Sequence, residues 1–116
     1  MAQKTDQSRW TARHRFARIS ARKARLVTGM IQNLEVGEAL DALKFNHKRA
    51  SGMVVNVLKS AMANADEQEA DMSRLYVSEA RVDEGPTTKR WRPKDRGRAH
   101  PINKRTSHIV VTVKEA

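Results

Sequence analysis

The chain has 116 residues, 23 Lys+Arg against 13 Asp+Glu, a formal net charge of +10 and no cysteine. That length suits one domain, and the lack of cysteine excludes disulfides and thiolate metal sites. No apolar run is long enough to span a bilayer and the N-terminus carries no signal-like apolar stretch, so a soluble protein without a membrane partner is expected, retained in the compartment where it is made.

Residues 1–12 are polar and aperiodic and read as a flexible basic tail ahead of a single domain over 13–116. Residues 13–19 suggest a short strand, with His14, Phe16 and Arg18 on one face and Arg13, Arg15 and Ala17 on the other. Ser20 is a good helix N-cap, and Leu26, Val27, Met30, Ile31 and Leu34 repeat after it at helical spacing. Arg22, Lys23 and Arg25 crowd the opening turns, where cations oppose the helix macrodipole and an external phosphate would reverse the penalty. Gly37 breaks the pattern, and residues 38–45 form a second short helix with Ala39, Leu40, Leu43 and Phe45 inward. A third helix is the clearest element, because Met53, Val54, Val57, Leu58, Ala61, Met62 and Ala65 make one apolar stripe.

From Leu75 the period becomes two, with Leu75 and Val77 on one face and Tyr76, Ala80 and Val82 on the other. Ile109, Val111 and Val113 alternate with Val110 and Thr112 in a closing strand. Between them, residues 85–105 contain Gly85, Pro86, Pro93, Gly97 and Pro101 and read as an extended arm. The prolines would limit sheet pairing and stiffen it. If the flanking strands continued into the arm as a hairpin, about ten residues a side would reach ~30 Å.

Charge is concentrated in two places. Residues 1–25 hold Lys4, Arg9, Arg13, Arg15, Arg18, Arg22, Lys23 and Arg25 against Asp6 alone. The arm holds Lys89, Arg90, Arg92, Lys94, Arg96, Arg98, Lys104 and Arg105 against Asp95, and the remainder is slightly acidic. A scaffold bearing two basic appendages is built to grip a polyanion. On the body, Arg13, Arg15, Arg18, Arg22, Lys23 and Arg25 are the candidates for phosphate neutralisation. On the arm they are Lys89, Arg90, Arg92, Lys94, Arg96, Arg98, Lys104 and Arg105, with Trp91 placed to stack on an unpaired base and Gly97 permitting close backbone approach. Catalysis finds no support: His14, His47, His100 and His108 are scattered, the acids near residue 69 look like a solvated connector, and no phosphate-binding glycine pattern or nucleophile context occurs. No cofactor or metal is expected.

Three stretches resemble the bacterial type of the large-subunit ribosomal protein L22 family. They are residues 17–27 (Ala-Arg-Ile-Ser-Ala-Arg-Lys-Ala-Arg-Leu-Val), residues 57–65 (Val-Leu-Lys-Ser-Ala-Met-Ala-Asn-Ala), and the arm. In the arm the similar positions are Val82-Asp83-Glu84-Gly85-Pro86, Lys89-Arg90, Pro93, Gly97-Arg98-Ala99 and Lys104-Arg105-Thr106-Ser107-His108-Ile109, and the motifs keep the family's order over about residues 13–113. The resemblance implies an α+β fold of three helices packed on a small antiparallel sheet, with a long protruding basic β-hairpin. It also implies a structural component of the large ribosomal subunit, cytoplasmic in the ribosome, that binds 23S-type ribosomal RNA, supports subunit assembly and lines the polypeptide exit tunnel. Its partners would be that RNA, neighbouring large-subunit proteins and the nascent polypeptide, without homo-oligomerisation. Carried over by position, the tunnel tip falls at Thr88, Lys89, Arg90, Trp91, Arg92 and Pro93, where family changes alter macrolide sensitivity. The chain departs from the family at Ala21, at Gln32-Asn33-Leu34, at Lys94-Asp95 and at Trp91, which is bulkier than in many relatives.

A second class of function is an architectural DNA-binding protein, since a basic ribbon with a proline can wedge into a minor groove. The stacking aromatic and the family motifs favour RNA. A membrane-surface role fails because neither basic segment has an apolar helical face.

Overall fold

The computed structural model describes residues 9–94 and 98–116, with side chains for residues 9–89 and 103–116. Strand β1 spans Arg9–Ala17, and three helices follow: α1 over Ala21–Ile31, α2 over Val36–Lys44 and α3 over Arg49–Glu67. A single 3-10 turn, Met72–Arg74, leads into β2 (Leu75–Lys94) and β3 (Arg98–Glu115). The strands form one antiparallel sheet in the order β1-β3-β2, and the helices pack on it, which is the expected α+β architecture. Among the described residues no helix is long and apolar enough to cross a membrane.

The central strand fixes the core. Ile109, Val111 and Val113 are fully buried against the helices together with Val27, Ile31, Leu43, Val54, Leu58, Leu75 and Val77. The apolar stripe of α3 lies where its spacing predicts, with Ala50, Val54, Val57, Leu58, Ala61 and Ala65 inward and Met53 and Met62 partly covered. Ser20 caps α1 by accepting from the Lys23 N–H at 3.4 Å.

Other expectations change. β1 opens at Arg9, inside the segment read as tail, because Trp10 is buried and its indole Nε1 donates to Gln68 Oε1 at 3.2 Å; residues 1–8 lie outside the described residues. The buried stripe of α1 is Ala24, Val27, Thr28 and Ile31, leaving Leu26 58% and Met30 41% exposed. Its rotation is set by Arg25, whose Nε and Nη2 both donate to the Val82 carbonyl, at 3.2 and 3.0 Å. Helix α2 starts before Gly37 and stops at Lys44, so Phe45, its C-cap residue, is 76% exposed rather than inward. Asn46 Oδ1 then accepts from the Lys48 N–H and the Ser51 hydroxyl, both at 2.8 Å, to open α3.

Three bulges reset the phase of the sheet, each placing an extra residue on an outer strand opposite the central one. In β2 the register slips between Val77 and Glu79, which turns Ala80 and Val82 to the same core side as Leu75 and Val77. In β1 it slips between His14 and Ala17, where Phe16 sits at φ 58. The third slip, between Glu84 and Thr87, lies at Gly85-Pro86. The first turn of β2's outer edge is closed by the α1–α2 connection, through Asn33 N–H to Val77 O at 2.7 Å and Val77 N–H to Leu34 O at 2.8 Å.

β1 follows β3 only to Ala17↔Ser107, whereas β2 and β3 stay paired to Lys94↔Arg98. The expected arm is therefore a two-stranded ribbon, about 23 Å from Thr87 to Lys94 at ~3.3 Å per residue. It makes the molecule elongated, with extents of 69 × 34 × 19 Å and a radius of gyration of 17.6 Å, against ~13 Å for a compact domain of this size. Pairing runs through Trp91↔Pro101 and Pro93↔Ala99, so these prolines do not interrupt the ladder. Each strand of a ribbon has one unpaired edge, where a missing N–H costs nothing.

Two substitutions test this framework. Trp10→Ala is expected to destabilise the domain by about 3–5 kcal/mol in urea unfolding, whereas a tail residue would give almost no change. A Cβ on Gly85 would meet Thr106 Oγ1 at 2.6 Å and the Thr106 carbonyl at 3.2 Å. Gly85→Ala should therefore cost about 1–3 kcal/mol in the same measurement.

Candidate nucleic-acid interface

Where β1 leaves the sheet, its chain turns through Arg18 and Ile19 into α1, and the start of α3 comes alongside the base of the ribbon. These elements enclose an open groove of about 1370 Å3. Arg18, Ser20, Lys23 and Leu26 come from the turn and α1, Lys48, Arg49 and Ala50 from the start of α3, and Thr88, Asn103, Lys104, Arg105 and Thr106 from the ribbon. Its charged lining is entirely cationic: Arg18, Lys23, Lys48, Arg49, Lys104 and Arg105. Among the described residues the ion pairs are those of Arg81 with Glu79 and Asp83, so none of the six groove cations is held in an ion pair there.

The helix ends sharpen this field. Neither α1 nor α3 has an acid in its first turn, and the N-cap residue of α3 is Lys48, which makes no side-chain cap bond. By contrast α2, which does not line the groove, has Glu38 in its first turn. Two helix N-termini therefore share the groove with six cations, an arrangement that favours an anion and sets like charges against one another without one.

On another side of the ribbon base lies a smaller cleft of about 310 Å3, lined by Ala21, Arg22, Glu84, Gly85, Thr87, Lys89, Asn103, Arg105 and Thr106. Asn103, Arg105 and Thr106 line both hollows. The floor beneath them is fixed by hydrogen bonds: Ser107 Oγ donates to the Ile19 carbonyl at 2.9 Å, and Thr106 Oγ1 donates to the Pro86 carbonyl at 2.6 Å.

Of the body residues singled out from sequence, Arg18 and Lys23 meet in the large groove and Arg22 in the cleft. Arg15 is exposed, its guanidinium carbon 5.3 Å from the Phe16 ring centroid. Arg13 stands in register with Val110 and Arg81 on the side of the sheet away from the core. There Arg81 bonds Asp83 at 3.3 Å and Glu79 more closely, and these bonds raise the already high pKa of its guanidinium. Arg25 clasps β2. On the ribbon, Lys104 and Arg105 line the groove, and Lys89 and Arg105 the cleft. Arg90, Trp91, Arg92, Pro93 and Lys94 follow one another on β2 and Arg98 opens β3, with side chains outside the described ones; Arg96 and Gly97 lie outside the described residues. The ladder continues past residues 88–93, the expected tip, to Lys94↔Arg98.

Lys48 and Arg49 escape a reading by charge density, because they lie in the slightly acidic middle of the chain. The signal was present: like Arg22 and Lys23, they are cations at a helix start. Among the described residues no cluster of His, Cys, Asp or Glu could hold a metal.

A family model described as ribosomal protein L22p/L17e matches residues 12–114. The large ribosomal subunit protein uL22 of Lacticaseibacillus casei is 52% identical over 106 residues, covering 90% of this chain and 91% of that protein. The protein of the same name from Lactobacillus gasseri is 53% identical over 105 residues, 90% of each chain.

Arg49→Glu places an acid in the first turn of α3 and removes a cation from the groove, so it should stabilise the free protein by about 0.3–1 kcal/mol at low ionic strength. The gain should shrink when thermal melts are repeated near 1 M salt, where the Debye length falls to about 3 Å. A loss of stability at low salt would mean that the groove is not self-repelling.

Proposed function

The chain belongs to the ribosomal protein L22p/L17e family, and from that membership we propose that it is a structural component of the large ribosomal subunit that seats 23S-type ribosomal RNA in the cationic groove. The carrying observation is the groove itself: six cations and two helix N-termini, from parts of the chain far apart in sequence, with no acid among its lining. Phosphates would occupy it, neutralised by Arg18, Lys23, Lys48, Arg49, Lys104 and Arg105 and accepting from the first-turn N–H groups of α1 and α3. Arg22 and Lys89 in the cleft would grip a second run of backbone across the ribbon. The role is binding and positioning, not catalysis, in keeping with a family of ribosomal structural proteins.

The ribbon gives the protein reach. A body seated on RNA by the groove would send two paired strands, bearing Lys89, Arg90, Trp91, Arg92, Lys94 and Arg98, deep between RNA segments. This supports a role in subunit assembly and in lining the polypeptide exit tunnel, with neighbouring large-subunit proteins and the nascent polypeptide as further partners, in the bacterial cytoplasm. Base recognition would fall to Trp91 and the backbone near Gly97, with Arg96 contributing charge.

The test combines retention on ribosomal particles with titration. Tagged protein should co-sediment with the large subunit through a high-salt wash, and release into the free fraction would contradict the proposal. In titrations against ribosomal RNA fragments, six phosphate contacts predict a log–log salt slope of about −4, falling by roughly 1 to 1.5 when Lys104 and Arg105 are both replaced by Ala. Folded RNA should compete better than duplex DNA at matched salt. A preference for the DNA would favour an architectural DNA-binding role instead.

A further inference from the structure

Phe16 combines a strained backbone with an exposed aromatic side chain. Its backbone lies at φ 58, a left-handed position where glycine or asparagine would sit with less strain. The residue is 53% exposed at the edge of the groove. Yet the residue is firmly held. Its N–H donates to His108 Nδ1 at 3.0 Å, and the two rings meet nearly perpendicular, at 83°, with centroids 4.9 Å apart. Arg15 lies over the ring, and Leu26, also exposed, adds a second apolar surface to the same groove.

We infer that Phe16 is a stacking platform for an unpaired nucleobase, so that the groove takes a nucleotide splayed out of its helix. The inference rests on the reading of the groove as an RNA seat and narrows it from RNA in general to RNA with a bulged or single-stranded nucleotide. An intact A-form duplex keeps its base faces stacked and presents phosphates and 2′-hydroxyls, which the cations alone can satisfy. An unstacked base instead offers a planar apolar face that covers the phenyl ring, while its flanking phosphates reach Arg18, Lys104 and Arg105. The left-handed backbone strain and the exposed ring then serve one purpose, that of holding an aromatic surface in place before the RNA arrives.

The experiment uses the full chain and three RNA stems of equal length: fully paired, with one bulged adenosine, and with an abasic ribose at the bulge. Binding is followed by fluorescence anisotropy, and stacking by quenching of 2-aminopurine placed at the bulge. The bulged stem should bind about tenfold more tightly than the other two. Phe16→Gly, which removes the ring and relieves the left-handed strain, should abolish that preference and the quenching while melting no lower than the parent protein. Phe16→Trp should restore both signals. Equal binding of all three stems, or a preference that survives in Phe16→Gly, overturns the stacking role while leaving the groove as an RNA seat. Failure of every stem to bind overturns the RNA reading of the groove and the stacking role with it.

Discussion

Ser107 has a fully buried side chain whose hydroxyl donates to the Ile19 carbonyl, and the rest of the architecture turns on this short piece of β3. On one side β1 bulges at Phe16 and leaves; on the other β2 bulges at Gly85-Pro86 and continues. A buried carbonyl without a partner would cost about 1–3 kcal/mol, so the Ser107 bond both satisfies Ile19 and ties the departing chain to the sheet where it turns into α1. The next residue, His108, accepts from the Phe16 N–H, and Thr106 holds the Pro86 carbonyl. Three consecutive side chains of the central strand therefore determine where the body ends, where the ribbon begins and how α1 approaches the ribbon.

The groove is a consequence of that junction, and its energetics differ from those of the core. Core residues such as Leu58, Val77 and Ile109 gain from burial whether or not a partner is present. The cations at the starts of α1 and α3 do the reverse, opposing the helix dipoles and one another until an anion arrives. Binding of a polyanion to the folded form would add stability by mass action, and part of that gain would be relief of the repulsion among these cations. Elsewhere charges are locally balanced, as in the bonds of Arg81 to Glu79 and Asp83. At the far end of α3, Asp71 accepts from the Ser73 hydroxyl and N–H, which lowers its pKa. The stability from that contact is present at neutral pH and lost as pH falls through the lowered value.

The sequence was most readable where one periodicity ran without interruption. Helix α3 repeats its apolar positions over its whole length, and Ser20 announces the start of α1 by its chemistry. Strands were harder to read, since one extra residue at a bulge reverses the side of every residue beyond it, and neither Ser78 nor Phe16 marks itself as a bulge residue. In α1 the hydrophobic ranking misled: Leu26 and Met30 are more apolar than Ala24 and Thr28, but the clasp of Arg25 on Val82 turns the smaller residues inward. Trp10 stood among polar neighbours, and its anchor, Gln68, is 58 residues away. The basic segments were visible from composition alone. Their convergence with Lys48 and Arg49 was not, because it depends on how the turn at Asn46 delivers α3 to the base of the ribbon.

An open strand edge is a template for pairing with another chain, and an unassembled protein meets its own copies before its partner. Here the first turn of β2's outer edge is occupied by Asn33 and Leu34, and the Val82 carbonyl farther along is taken by Arg25. Among the described residues the outer edge of β1 has no such cover, but it carries exposed Arg9, Arg13 and Arg15 and is broken by the left-handed turn at Phe16. Two copies aligned along that edge would bring like charges together across a strand that cannot lie flat. Resistance to edge-to-edge aggregation is thus built from the same basic, bulged strand that leads into the groove.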